Sequence, residues 1–70
     1  MINVALLGFG RIGQMHAQNI YLNKTLNLLY VYEKIDKLRK KAKNLYNCKI
    51  EKDYKKIFSD KKVDIIFISS

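Results

Sequence analysis

Gly8-Phe9-Gly10-Arg11-Ile12-Gly13 is the segment of this 70-residue chain with the clearest chemical potential. It is a G-x-G-x-x-G. A match of this kind carries weight only between a strand and a helix. Here it follows the apolar run Ile2-Asn3-Val4-Ala5-Leu6-Leu7 and opens a stretch, Arg11 to Leu22, with helical spacing of Gly13, Ala17 and Ile20. Gly8 permits a tight turn out of the strand, Gly10 lets a pyrophosphate approach the backbone, and Gly13 lets the helix pack closely on the sheet. The free N–H groups and the positive dipole end of that helix attract a diphosphate. Glu33 lies twenty positions past the last glycine, where a carboxylate can accept hydrogen bonds from the ribose hydroxyls of an adenosine. These residues point to a dinucleotide cofactor. A carboxylate at 33 favours NAD, since it repels a 2′-phosphate. Lys34 and Arg11 are each able to pair with such a phosphate, so NADP stays open.

The elements that must position these residues follow from the pattern around them. Leu26 to Tyr32 is a second apolar run closed by Glu33. Lys34 to Asn47 has helical periodicity, with Ile35, Leu38, Ala42 and Leu45 as its apolar stripe and Asp36 favourable in its first turn. Lys49-Ile50-Glu51 is a short strand. Asp53 to Phe58 is a short helix with Tyr54, Ile57 and Phe58 on one side. Val63 to Ile68 is a last strand apolar on both faces, which calls for burial on both. The order β-α-β-α-β-α-β predicts a partial Rossmann-type α/β fold, a doubly wound parallel sheet of strand order 3-2-1-4. The order reverses between Leu7-Gly8 and Ser69-Ser70, and open α/β sheets bind ligands at such a crevice. Ser69 is thereby able to meet the ribose or nicotinamide side of the cofactor. The candidate cofactor-binding set is Gly8, Phe9, Gly10, Arg11, Ile12, Gly13, Glu33 and Ser69. No catalytic residue and no metal ligand is assigned.

The remaining chemistry-bearing residues read as structural. His16, the only histidine, is a structural or surface position of the first helix. Cys48, the only cysteine, is a buried small residue. Tyr30, Tyr32 and Tyr54 fit packing positions.

Composition excludes several classes. One cysteine excludes a disulfide scaffold, and no apolar run reaches the roughly 18 residues of a membrane span. The start lacks a signal peptide's basic region, so the expected setting is soluble and cytoplasmic. Lys+Arg number 14 against 6 Asp+Glu, for a net charge of +8. Twelve of the 14 are Lys, a residue of solvated faces; sequence-specific base readout favours Arg. Nucleic acid and membrane are therefore not expected partners.

The stretch from Ile2 to Ile20, and above all its G-R-I-G-x-x-H-A, resembles the start of the Gfo/Idh/MocA oxidoreductases. Tyr30-Val31-Tyr32-Glu33 is similar to the family's second strand, which usually ends in Asp. Val63-Asp64-Ile65-Ile66-Phe67-Ile68-Ser69-Ser70 is similar to its V-D-A-V-x-I-A-T strand. Ile35 stands where an acidic residue is common. Glyceraldehyde-3-phosphate dehydrogenase shares G-F-G-R-I-G, but its second strand typically ends Asn-Asp. The resemblance covers the whole chain and implies NAD(P)-dependent oxidation of a polyol or sugar hydroxyl. It also implies that the catalytic Lys, in an E-K-P motif, and an acid/base Asp and His lie beyond the fourth strand, the latter two in a second, substrate domain. Residues 1–70 are thus expected to be the N-terminal part of a dinucleotide-binding domain. The C-terminal domain of the parent chain would be absent, the parent a homo-oligomer, and these residues inactive alone. A stand-alone, non-catalytic nucleotide-binding or sensing module is the alternative.

Overall fold

The computed structural model describes residues 1–69. Ser70, read with Ser69 as the end of the last strand, lies outside the described residues. The elements run β1 (Ile2–Leu7), α1 (Arg11–Leu22), β2 (Leu26–Tyr32), α2 (Asp36–Tyr46), β3 (Lys49–Glu51), α3 (Tyr54–Phe58) and β4 (Ile65–Ile68). All strand pairs are parallel and the sheet order is β3-β2-β1-β4, the order expected from the alternation.

Strand alternation sends β1 side chains to two separate cores. Val4 and Leu6 pack with Phe9, Ala17, Ile20, Leu28, Val31, Ala42 and Cys48, beneath α1 and α2. Ala5 packs with Tyr30 and Ile57, beneath α3. The helices therefore cover both faces of the sheet. Small residues (Gly13, Ala17, Ala42) at the contact points bring α1 and α2 close to the strands.

Several boundaries differ from the sequence expectation. The second helix begins at Asp36, not Lys34, because Ile35 is extended (φ −85°, ψ 119°). It ends at Tyr46, and Asn47 caps it in the left-handed region (φ 51°), a conformation Asn tolerates. Its buried face is Ala42 with Leu38 and Tyr46, an i, i+4, i+8 row, whereas Ile35 and Leu45 are exposed. In α3 only Ile57 is buried; Tyr54 and Phe58, expected on the same side, are exposed and pack edge-on against each other. The last strand begins at Ile65. Its four residues, apolar on both faces, are 39–69% exposed: β4 is an unprotected edge paired only with β1.

One buried tyrosine is tied across the sheet. The Tyr30 hydroxyl donates to Asp60 Oδ2 at 2.6 Å. That bond, with the Lys62 N–H, holds the Asp60 carboxyl below its ordinary value. The same bond, with burial, raises the Tyr30 phenol. A lowered carboxyl stabilises the fold above its unfolded pKa and loses that contribution as pH falls through the folded value. A raised phenol loses its contribution as pH rises through its own folded value. Tyr30→Phe is therefore expected to flatten the pH dependence of stability both below about pH 4 and above about pH 10. Asp36, lowered by the Lys40 hydrogen bond and charge, keeps the remaining acid limb. Urea midpoints across pH measure this; an acid limb identical to wild type would show the bond to be inert.

Candidate functional site

The C-terminal ends of three strands meet at one place. Gly8 N–H donates to Tyr32 O at 2.9 Å, joining the ends of β1 and β2. Ser69 N–H donates to Leu7 O at 2.9 Å, joining the ends of β1 and β4. The start of α1 lies over this junction. A cleft of about 440 Å³ opens here, lined by Gly8, Gly10, Arg11, Ile12, Gly13, Glu33 and Ser69. Seven of the eight sequence-predicted residues thus share one cleft.

Phe9 does not line it. Its side chain is fully buried in the core under α1 and α2, edge-on to Tyr46 with ring centroids 6.4 Å apart. Its N–H donates to Glu33 Oε1 at 2.8 Å. A residue between two glycines of a loop reads as part of the loop's ligand surface. The turn instead drives this side chain inward, so Phe9 acts on the site only through its backbone.

The three glycines have different physical reasons. Gly8 has φ 110°, which L side chains rarely adopt, and a Cβ there would overlap Ser69 O. A Cβ on Gly13 would overlap Gly8 O, so Gly13 sets the closeness of α1 to the end of β1. Gly10 differs from both. Its φ of −73° and ψ of −165° suit any residue, and a Cβ there would meet no heavy atom within 4 Å. Among the described residues nothing requires glycine at position 10. The absence of a side chain leaves space on the cleft side of the loop.

The helix end beside this space is uncapped. No side chain of the N-cap bonds to the first turn of α1, and that turn contains no acidic residue. Its free N–H groups form an electropositive end suited to an anion. Across the cleft, Glu33 accepts from Phe9 N–H through Oε1 and from Ile35 N–H through Oε2 at 3.1 Å. Both oxygens are oriented by backbone donors, and each retains lone pairs for further donors. The cleft therefore has a donor-rich end at α1 and an acceptor at Glu33, the pairing a diphosphate linked to a ribose would meet.

Residues 2–70 match the family described as an oxidoreductase family with an NAD-binding Rossmann fold, GFO_IDH_MocA. The chain belongs to this family. Its fold is shared with solved structures of inositol dehydrogenases. A myo-inositol dehydrogenase from Corynebacterium glutamicum ATCC 13032 matches with a TM-score of 0.90 and 27% identity, over 100% of this chain and 21% of that one. A scyllo-inositol dehydrogenase from Lactobacillus casei, with bound NAD(H) and scyllo-inositol, matches with a TM-score of 0.91 and 24% identity, over 100% and 21%. The myo-inositol 2-dehydrogenase from Lactobacillus plantarum matches with a TM-score of 0.90 and 24% identity, over 99% and 21%. The chain spans about a fifth of the length of each of these proteins. No curated protein matches it.

The geometry of this NAD-binding Rossmann domain suits the cofactor of its family, because Gly10 leaves an open cradle against an uncapped helix end. Other residues around the cleft escaped the sequence reading. Gln14 Nε2 donates to Phe9 O at 3.1 Å, and Lys41 Nζ donates to Gln14 Oε1 at 2.8 Å. This chain of bonds fastens the glycine-rich loop to α2. Arg39 fastens the segment after β2 in the same way. The Lys41–Gln14 bond joins separate helices, and the Arg39 bonds depend on a turn after β2, so no periodicity of the sequence announces either.

The residues read as structural hold such places. His16 stacks on Phe67 of β4 with centroids 4.7 Å apart. Cys48 is buried, and burial pushes its thiol up, away from the reactive thiolate. Among the described residues no group of His, Cys, Asp or Glu is arranged to hold a metal ion, and no helix is long and apolar enough to cross a membrane.

Proposed function

We propose that this chain is the N-terminal, nucleotide-binding part of an NAD-dependent dehydrogenase that oxidises a CH–OH group of a polyol or sugar, an inositol in the first instance. The observation that carries this reading is Gly10: a glycine that neither backbone angle nor packing requires, beside an uncapped helix end and facing Glu33. The backbone around Gly10 and the first turn of α1 hold the diphosphate. Glu33 accepts from the adenosine ribose, and Ser69 lies toward the nicotinamide side. The bound nicotinamide supplies the hydride acceptor.

Glu33 is the one carboxylate among the residues lining the cleft and serves the ribose, so the cleft supplies no base for the proton of an alcohol. The acid/base groups and the substrate pocket belong to a following C-terminal domain, a reading supported by the fifth of their length over which the inositol dehydrogenases match. The parent is a homo-oligomer that works in the cytoplasm.

Titration calorimetry with NAD and NADP, and a dehydrogenase assay with myo-inositol and scyllo-inositol, test this directly. The 70-residue chain is expected to bind NAD more tightly than NADP and to give no turnover. Absence of NAD binding by a folded chain sinks the site assignment. NAD-dependent turnover by the chain sinks the division of labour.

A further inference from the structure

Arg39 lies on α2, outside the cleft and six positions from Glu33, yet its guanidinium grips the segment that carries Glu33. Nη1 donates to Glu33 O at 2.7 Å and to Lys34 O at 2.8 Å. Nη2 donates to Asp36 Oδ1 at 3.0 Å, and the side chain is 14% exposed. Asp36 is held in turn by Lys40 Nζ at 3.0 Å. Three acceptors on one guanidinium use its planar fork, which an ammonium cannot reproduce.

The bent path this imposes has a local consequence. Two successive carbonyls converge on one nitrogen, so the chain must turn immediately after β2. In that turn Ile35 N–H points back at Glu33 Oε2, while Phe9 N–H holds Oε1. The Glu33 carboxylate is fixed from one side by the glycine-rich loop and from the other by a turn that Arg39 secures. Arg39 itself is committed to these acceptors.

We propose that Arg39 is the positioning residue for the cofactor's adenosine end: it sets the Glu33 carboxylate at the edge of the cleft and thereby confers recognition of the free ribose hydroxyls. The proposal rests on the assignment of Glu33 to the ribose made above. Arg39 does not touch the cofactor. Its effect is confined to ligands that use Glu33.

The test is a set of binding titrations on the full chain, with NAD and with an NAD analogue whose adenosine ribose lacks the 2′-hydroxyl. Wild type, Arg39→Gln, Glu33→Gln and the double variant are compared. Wild type is expected to prefer NAD over the analogue. Arg39→Gln is expected to weaken NAD about tenfold, the scale of one hydrogen bond to a charged group, and to leave the analogue nearly unaffected. The double variant is expected to bind NAD no more weakly than Glu33→Gln alone. Arg39→Lys keeps the charge and stem but loses the fork; it is expected to show the same selective loss and serves if Arg39→Gln does not fold.

Equal losses for the two ligands, NAD affinity unchanged by either Arg39 variant, or additive losses in the double variant would overturn the positioning role while leaving the Glu33 assignment standing. A wild-type chain that binds both ligands equally overturns the Glu33 assignment, and the Arg39 role with it.

Discussion

Gly8→Ala and Gly13→Ala are expected to destabilise the chain severely, whereas Gly10→Ala is expected to leave it as stable as wild type but with much weaker NAD binding. A non-glycine residue held at positive φ costs about 1–3 kcal/mol, and at Gly8 the new Cβ also overlaps the Ser69 carbonyl. Overpacking of this kind adds about 1–3 kcal/mol. The obstruction is backbone on the neighbouring strand, so relief requires β4 to move away from β1. At Gly13 the overlap is with the Gly8 carbonyl, so relief requires α1 to lift from the sheet. A chain of 70 residues has a total stability of only about 4–10 kcal/mol. Either substitution consumes much of it. Gly10 has ordinary backbone angles and an open space around its Cβ position, so its alanine variant should stay within about 0.5 kcal/mol of wild type. The same methyl group stands where a diphosphate must approach the backbone. NAD affinity is expected to fall about a hundredfold, which is about 2.7 kcal/mol. Urea denaturation followed by circular dichroism, paired with NAD titration, separates the two effects. A Gly10→Ala chain destabilised as much as the other two variants, or one that binds NAD as wild type does, would remove the special role of Gly10.

Phe9→Ala is the second large effect, and it is expected to act through the core. Truncating a fully buried phenylalanine costs about 3–5 kcal/mol. Phe9 is 0% exposed and packs among Val4, Leu6, Ala17, Ile20 and Val31, with Tyr46 edge-on. A loss of that size takes most of the stability of so short a chain. Phe9→Leu keeps an apolar side chain of similar volume and should cost below about 1.5 kcal/mol. Because the side chain never reaches the cleft and the Glu33 bond uses the backbone N–H, NAD affinity of Phe9→Leu is expected to match wild type. A folded Phe9→Leu chain with NAD affinity lowered several-fold would return Phe9 to the ligand surface.

The two cases show how far the residues speak for themselves. The fold was legible because each element has a local cause. Val4 and Leu6 alternate with Ala5 and Leu7 along a strand buried on both faces, and Gly13, Ala17 and Ile20 recur at helical spacing. Repetition of strand, helix and strand then admits few topologies, since parallel crossovers have one hand. Most of the cleft was legible for a related reason: a glycine-rich turn at a strand end and a carboxylate at the next strand end are brought together by that topology alone.

What escaped the reading depended on rotation and on reach. Of the stripe Ile35, Leu38, Ala42 and Leu45, the middle two face the core; Ile35 and Leu45 do not, because the chain stays extended until Asp36 and Tyr46 completes the buried row. The last strand is apolar on both faces, which calls for burial, yet it stands exposed as an unprotected sheet edge. Arg39, Gln14 and Lys41 look like members of a solvated helix surface in the sequence. Their side chains reach carbonyls and amides on the loop after β2 and on the glycine-rich turn.

The order of elements, the parallel sheet, the crevice at the strand ends and the acidic residue beside it follow from the amino-acid sequence alone, through period, spacing and handedness. Three-dimensional packing settles which glycines the fold requires and which it does not, that Phe9 belongs to the core, and that Arg39 holds the turn behind Glu33. Those questions depend on which atoms lie beside a given Cβ or guanidinium, and that is set by the turns of the backbone and the packing of the elements, as where Ser69 meets Gly8 or Glu33 and Lys34 turn toward Arg39.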